Sequence, residues 1–364
     1  MVVAAPHNRL GGRLIQSDAK PLVSPPAPNI DPHRPVFLHG LWRSGSTYVW
    51  SRFRAAPRTV CYYEPLHDGL RRLTRERIRR DTPESIRSNH HPELSQPYFA
   101  EFAPLAPGRG VRGYRKRFAY SRFAPAVERD DPALQAYVQG LIDHARAQEG
   151  SAVLGFNRTG LRVGWLARRF DACNIHVDRD PIDVFASYLG QLQSGNYYYF
   201  TKWMQIIAGN PDYPPFAAAQ PLFRHPGPLQ AMLVSPKKYY REVIDGASLD
   251  TLYLITFLAW AVCALHALEH SDLVIDIALS ERPGYSRDLA ETILARTGLA
   301  VSFEEMHAPS PASPLRLAHQ AAIEQAVLEW IAAPTAEGLF DPARIRPRLA
   351  ELSPRRAELL ARVV

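Results

Sequence analysis

Five short apolar runs, each closed by a turn, constrain this chain more than any other feature. They are PVFLHG (35–40), TVCYYEP (59–65), SAVLGFN (151–157), NIHVDRDP (174–181) and SDLVIDIAL (271–279). Each is short, bounded by turn residues and rich in β-branched or aromatic residues, so each reads as a buried strand. Helix-like segments alternate with them at 46–56, 132–149, 159–170 and 182–192, and an apolar helical stretch near 250–270 precedes the fifth. Strands alternating with helices argue for an α/β fold, a central parallel β-sheet flanked by helices. Amphipathic patterns at 286–299 and 318–332 predict further helices towards the C-terminus. The expected division is a Pro-rich N-terminal arm over 1–34, a main domain over 35–310 and a helical C-terminal extension over 311–364. Within the main domain, 66–150 read as an inserted cap and the aromatic, proline-rich 193–240 as a loop-rich lid.

Composition narrows the partners. The 364 residues are 46 % hydrophobic and 22 % charged, as in a soluble globular protein. The formal net charge of +7 favours anionic partners. No nucleic-acid recognition motif accompanies the charge, so nucleic acid is not expected. Cys61, Cys173 and Cys263 are far apart and odd in number. They suggest neither a disulfide framework nor a zinc site, and point to a reducing, cytoplasmic compartment. The first residues hold no long apolar stretch, so no secretory signal is read there. The apolar segment 252–268 is short for a membrane span and is expected to be a buried helix.

The turn after the first strand carries the chemistry. Gly40, four residues, Gly45, Ser46 and Thr47 follow the spacing of a phosphate-binding loop whose lysine is missing. A strand-to-helix turn aims several backbone N–H groups one way, and the helix dipole makes that point attractive to anions. The two glycines allow close approach, Ser46 and Thr47 add hydroxyl donors, and Arg43 inside the turn supplies a cation. A nucleoside triphosphate site needs the lysine and a metal-holding carboxylate. Sulfuryl transfer needs amides and one cation for the leaving phosphate, with no metal required.

Three stretches then resemble the PAPS-dependent sulfotransferases (PAPS is 3′-phosphoadenosine 5′-phosphosulfate), closest in style to the carbohydrate-type and bacterial members. RSGST (43–47) resembles the family's 5′-phosphosulfate loop, VDRDPIDVFASYL (177–189) its 3′-phosphate motif, and YYEPLH (62–67) the segment after its second strand. The matches cover roughly 35–190, in the family's order. The resemblance implies a P-loop-like sheet topology and PAPS as sulfuryl donor, with no metal. It implies that Arg43 and the amides of Ser44, Gly45, Ser46 and Thr47 contact the 5′-phosphosulfate. It puts Tyr48 where some members stack an aromatic on adenine, and Arg179 and Ser187 on the 3′-phosphate. Glu64 becomes the candidate base that takes the acceptor's proton, with His67 as the second candidate. The R-K-G-type cofactor segment of cytosolic members has no clear counterpart. The implied acceptor is a hydroxyl or amine of a carbohydrate or other small metabolite.

Two other readings stand beside this one. A P-loop kinase or NTPase would use a displaced cation, with LVIDIA (273–278) as a weak candidate for its metal-holding strand. A non-catalytic protein could bind anionic glycans through the arginine clusters. Six arginines lie between 71 and 80, and RGYRKRFAYSRF (112–123) is a second basic stretch. Such runs usually form a solvated face; here the first is also a candidate guide for an acidic acceptor.

Overall fold

The computed structural model describes residues 31, 33–80, 94–120, 130–222, 236–304, 306, 307, 315, 317–333 and 338–364. Nearly all of the N-terminal arm, and parts of the expected cap, lid and C-terminal extension, lie outside them.

All five expected strands form: β1 (Val36–Gly40), β2 (Thr59–Tyr63), β3 (Ser151–Phe156), β4 (Cys173–Asp178) and β5 (Leu273–Asp276). They make one sheet in the order β2-β3-β1-β4-β5, parallel throughout. The strands read as nearly continuous apolar runs because both faces are covered. Val36, Leu38, Cys61, Tyr63, Val153 and Ile175 point to the face packed by α1 (Ser46–Ala55). Phe37, Val60, Tyr62, Leu154 and Phe156 point to the other face, under α2 (Pro132–Arg146) and α3 (Val163–Arg169). Parallel neighbours need a helical crossover, and within 66–150 that crossover is α2. Its N-cap Asp131 accepts from the amide of Leu134, and Pro132 starts its first turn.

A third core lies beside the sheet. It gathers α4 (Pro181–Gln193), α5 (Tyr198–Ala208), α6 (Pro214–Ala219) and α7 (Leu249–His270). The helix α7 has 22 residues and is long and apolar enough to cross a membrane by composition, but it is buried from Leu252 to Leu268 apart from half-buried Leu254. Apolar on every side, it is packed from every side, as a core helix is. The tyrosine-rich stretch expected as a loop-rich lid is helical instead. Tyr199, Phe200, Trp203, Met204 and Ile207 recur at helical spacing, and their burial beside α4 and α7 outweighs the loop tendency of the flanking Asn, Gly and Pro. After β5 come helices α8 (Tyr285–Thr297), α9 (Gln320–Ala332), α10 (Pro342–Leu349) and α11 (Pro354–Ala361).

Candidate active site at the carboxyl ends of the strands

In a parallel sheet the chain leaves successive strands towards opposite edges at one place, and ligands settle in the crevice there, beyond the carboxyl ends. With this strand order the crevice opens between β1 and β4. The loop after β1 contains Arg43, and the turn after β4 contains Arg179.

The two arginines, 136 positions apart, meet in that crevice. Arg179 Nη1 donates to the main-chain oxygen of Arg43 at 3.1 Å, and Arg43 Nε donates to Ser187 Oγ at 2.7 Å. Arg43 also hydrogen-bonds Tyr199. Ser187 thus pairs with the loop arginine here rather than with Arg179. Burial lowers the pKa of Arg179; Asp183 and Asp180 pull it up, and the positive charge of Arg43 pushes it down. Two cations held this close favour a bound anion.

The loop is strained as well as charged. Arg43 has φ 67° and Gly45, the N-cap of α1, has φ 87°. Among described non-glycine residues only Arg43, Arg58, Glu64 and Glu149 have positive φ. Arg58 and Glu149 belong to turns leading into β2 and β3, whereas Arg43 and Glu64 follow β1 and β2. A left-handed backbone costs such residues about 1–3 kcal/mol and gathers at functional sites. A Cβ on Gly40 would lie 2.7 Å from Ser44 Oγ and 2.8 Å from Ser46 Cβ, so the loop folds back over a position only glycine can fill.

The loop's donors are divided differently from the expectation. Ser46 Oγ donates to Asn157 Oδ1 at 2.7 Å, and Thr47 Oγ1 is 3.1 Å from Tyr63 Oη. Both hydroxyls are buried and engaged by protein, because the first turn of α1 lies over the ends of β2 and β3. The Ser44 amide donates to the Leu41 carbonyl at 3.3 Å, closing the turn. What remains for an anion is the hydroxyl of Ser44, the amides at the start of α1, and the arginines. Ser44 Oγ is buried with no hydrogen-bond partner among the described residues. A buried unsatisfied hydroxyl costs about 1–3 kcal/mol, and a phosphate oxygen would meet its need. The loop therefore fits the 5′ end of the implied donor. Tyr48 is half-buried and its ring packs beside the α1-side core.

Glu64 follows β2 and is buried. Asn157 Nδ2 donates to its Oε1 at 3.0 Å, and Arg158 Nη2 to its Oε2 at 3.2 Å. Burial alone would raise its pKa, but the charge of Arg158, His67 and the hydrogen bonds outweigh burial and bring it below the usual glutamate value. Glu64 is therefore ionised at neutral pH. Asn157 bridges Ser46 of the loop to Glu64, linking anion site and candidate base through two hydrogen bonds. His67 lies near Glu64 with its side chain about a third exposed, at 35 %. Its Nδ1 accepts from the amide of Gly69 at 3.0 Å, which leaves the ring proton on Nε2. Burial lowers its pKa, with Glu64 opposing. The Gly69 amide occupies the lone pair of His67 Nδ1, whereas the Glu64 carboxylate keeps lone pairs beyond its bonds to Asn157 and Arg158.

Two site residues were not foreseen, Asn157 and Arg158. Arg158 is 3 % exposed, donates to Tyr198 Oη at 2.9 Å and lies 5.4 Å from the Trp42 ring centre. The signal was available: Asn157 and Arg158 follow a strand's carboxyl end, the same position that singled out Glu64. The six arginines of 71–80 are all exposed; Arg75 Nε donates to the Ala103 carbonyl at 3.0 Å. Asp276, at the end of the LVIDIA strand, is engaged by Arg356 and by the amides of Ala278 and Ser353. No family model, characterised protein or solved structure matches this chain.

Proposed function

We propose that this chain is a PAPS-dependent sulfotransferase that places a sulfuryl group on a hydroxyl or amine of a carbohydrate or other small acceptor. The observation that carries this reading is the meeting of Arg43, Arg179 and Ser187 at the β1/β4 crevice, on a loop whose Ser46 is joined to Glu64 by two hydrogen bonds through Asn157. PAPS, when bound, supplies a sulfuryl group on an oxygen of its 5′-phosphate. Arg43, the Ser44 hydroxyl and the first amides of α1 hold that phosphate. They stabilise the charge it gains as its bond to sulfur breaks. Arg179 and Ser187 hold the 3′-phosphate. Glu64 takes the acceptor's proton as the new bond to sulfur forms, and Arg158 with Asn157 keeps its carboxylate aimed. The buried free thiols Cys61, Cys173 and Cys263 support a reducing, cytoplasmic setting.

The test is acceptor-dependent release of 3′,5′-adenosine bisphosphate from PAPS, in EDTA, across a panel of sugars, glycans, phenols and amines. Wild type is expected to release it with at least one acceptor class, and Glu64→Gln to lose the release while still binding the bisphosphate. Turnover of Mg·ATP with no release from PAPS would replace this reading with a phosphotransferase.

A further inference from the structure

The residues on either side of Arg179 are both aspartates, and both are held by consecutive arginines of α11. Asp178 Oδ2 accepts from Arg356 Nη1 at 2.6 Å, and its Oδ1 from Trp260 Nε1 at 2.9 Å. Arg356 is fully buried, and its other Nη pairs with Asp276, the register partner of Asp178 across β4 and β5. Asp180 caps α4 by accepting from the amide of Ile182 at 3.0 Å. Its two oxygens also accept from Arg355 Nη1 at 3.2 and 3.1 Å. Arg355 Nη2 continues to Glu324 Oε1 at 2.8 Å, and the same oxygen accepts from Tyr253 of α7 at 2.6 Å. The turn that carries Arg179 is thus bolted at both neighbours to a helix 175 positions further on.

We infer that α11 positions Arg179 for its anion, Arg356 by fixing the strand end and Arg355 by occupying Asp180. This rests on the reading of Arg179 as an anion-holding residue. Two effects combine. The direction of a side chain follows its backbone, and the Arg179 backbone lies between two anchored neighbours. Asp180 is also a carboxylate next to Arg179 that attracts the same guanidinium a phosphate must win. Arg355 meets that charge, which leaves Asp183, 3.8 Å from Arg179 Nε, as the carboxylate the ligand must displace. Arg355 is a positioning residue, with no contact to the reacting atoms.

Arg355 is 44 % exposed, so its loss can be read in a folded protein. The experiment is calorimetric titration of the full chain with 3′,5′-adenosine bisphosphate in EDTA, beside amide exchange over 178–187. Arg355→Ala is expected to weaken binding about tenfold and to speed exchange at 179–184, with exchange of the 43–48 loop unchanged. Arg355→Lys should regain part of the affinity. Adding Asp180→Asn to Arg355→Ala should also regain affinity, since Asn still caps a helix and no longer competes for Arg179. A helix docked for stability alone would gain nothing from that second change. Unchanged affinity and exchange in Arg355→Ala would overturn the inference, as would a loss that Asp180→Asn leaves in place. If wild type binds no bisphosphate, the sulfotransferase reading fails instead. Exchange at 179–184 then decides the positioning role: faster upholds it, unchanged overturns it.

Discussion

Arg356 and the pair Arg43/Arg179 stand at the same edge of the sheet and are built in opposite ways. Arg356 is completely buried between Asp178 and Asp276, so its charge is met inside the protein. The carboxyl of Asp178 is held below the usual range: burial alone would raise it, and Arg356, His176 and Trp260 overcome that. Arg43 and Arg179 are half-buried and lie close enough to repel; Arg43 is held by the Ser187 and Tyr199 hydroxyls, Arg179 by the Arg43 carbonyl and a longer 3.8 Å pairing with Asp183. The contrast teaches how to sort arginines at a strand edge. One flanked by two carboxylates builds the protein, whereas two drawn together over a strained glycine turn are arranged for an anion from outside.

The sharpest way to break that contrast is to remove Arg356. Arg356→Met leaves two neighbouring buried carboxylates without their cation and should cost about 3–5 kcal/mol in urea denaturation. Adding Asp178→Asn and Asp276→Asn should return most of it. A loss below about 1 kcal/mol would remove Arg356 from the scaffold. The next largest effect is on turnover. Glu64→Gln should slow it by about 10²–10⁴-fold, and His67→Asn far less. Because the folded pKa of Glu64 is lowered, its carboxylate is present above the usual glutamate range and is lost only as pH falls through the lowered value. The acid limb of the rate profile should therefore lie below about 4.3, the ordinary glutamate pKa. A limb near 6 would move the role of base to His67.

Arg43→Ala and Arg179→Ala should each remove about 1.5–3 kcal/mol of bisphosphate affinity, while melting temperature stays nearly constant. That is the reverse of Arg356→Met. A smaller, scaffold-side effect is expected in acid. Burial lowers the pKa of His39, beside the loop, to about 3. Its Nδ1 is 2.8 Å from Thr159 Oγ1 and its Nε2 3.0 Å from Asn174 Oδ1. The unfolded chain takes up that proton first, so stability is full above about pH 6.5 and declines below it by up to about 1.4 kcal/mol per pH unit. Burial also lowers His266 to about 3 and His270 to about 4, so His39→Gln should remove only its own share of the decline seen in denaturation midpoints between pH 7 and 5. Smallest of all, alanine at Arg75, Arg77 and Arg79 together should shift stability by about 0.5 kcal/mol per site or less. It should leave bisphosphate binding intact and weaken only an acidic acceptor.

The strands were legible because burial on both faces writes a simple signal, a short apolar run with a turn after it. The β1 loop was legible because Gly40 and Gly45 are demanded by backbone approach and a positive φ, which leave a mark in local sequence. The partners of the Ser46 and Thr47 hydroxyls were not legible: their residue type suits an anion, but Asn157, just past β3, and Tyr63 of β2 engage them. Arg356 left no local trace. Its carboxylate partners, Asp178 and Asp276, are far away in sequence, and one more arginine in a basic, polar stretch looks like surface until the carboxylates at the β4 and β5 ends are in place. The Tyr198–Ala208 helix was hidden by its flanking Asn, Gly and Pro, though its apolar residues recur at helical spacing.

The most direct measurement is metal-free calorimetric titration of the full chain with 3′,5′-adenosine bisphosphate, repeated with Arg43→Ala and Arg179→Ala and with Mg·ATP. Binding is expected in EDTA, with a loss of roughly 10- to 150-fold in each variant and far weaker binding of Mg·ATP. Binding of Mg·ATP with no response to the bisphosphate, or bisphosphate binding that neither arginine affects, would contradict this expectation.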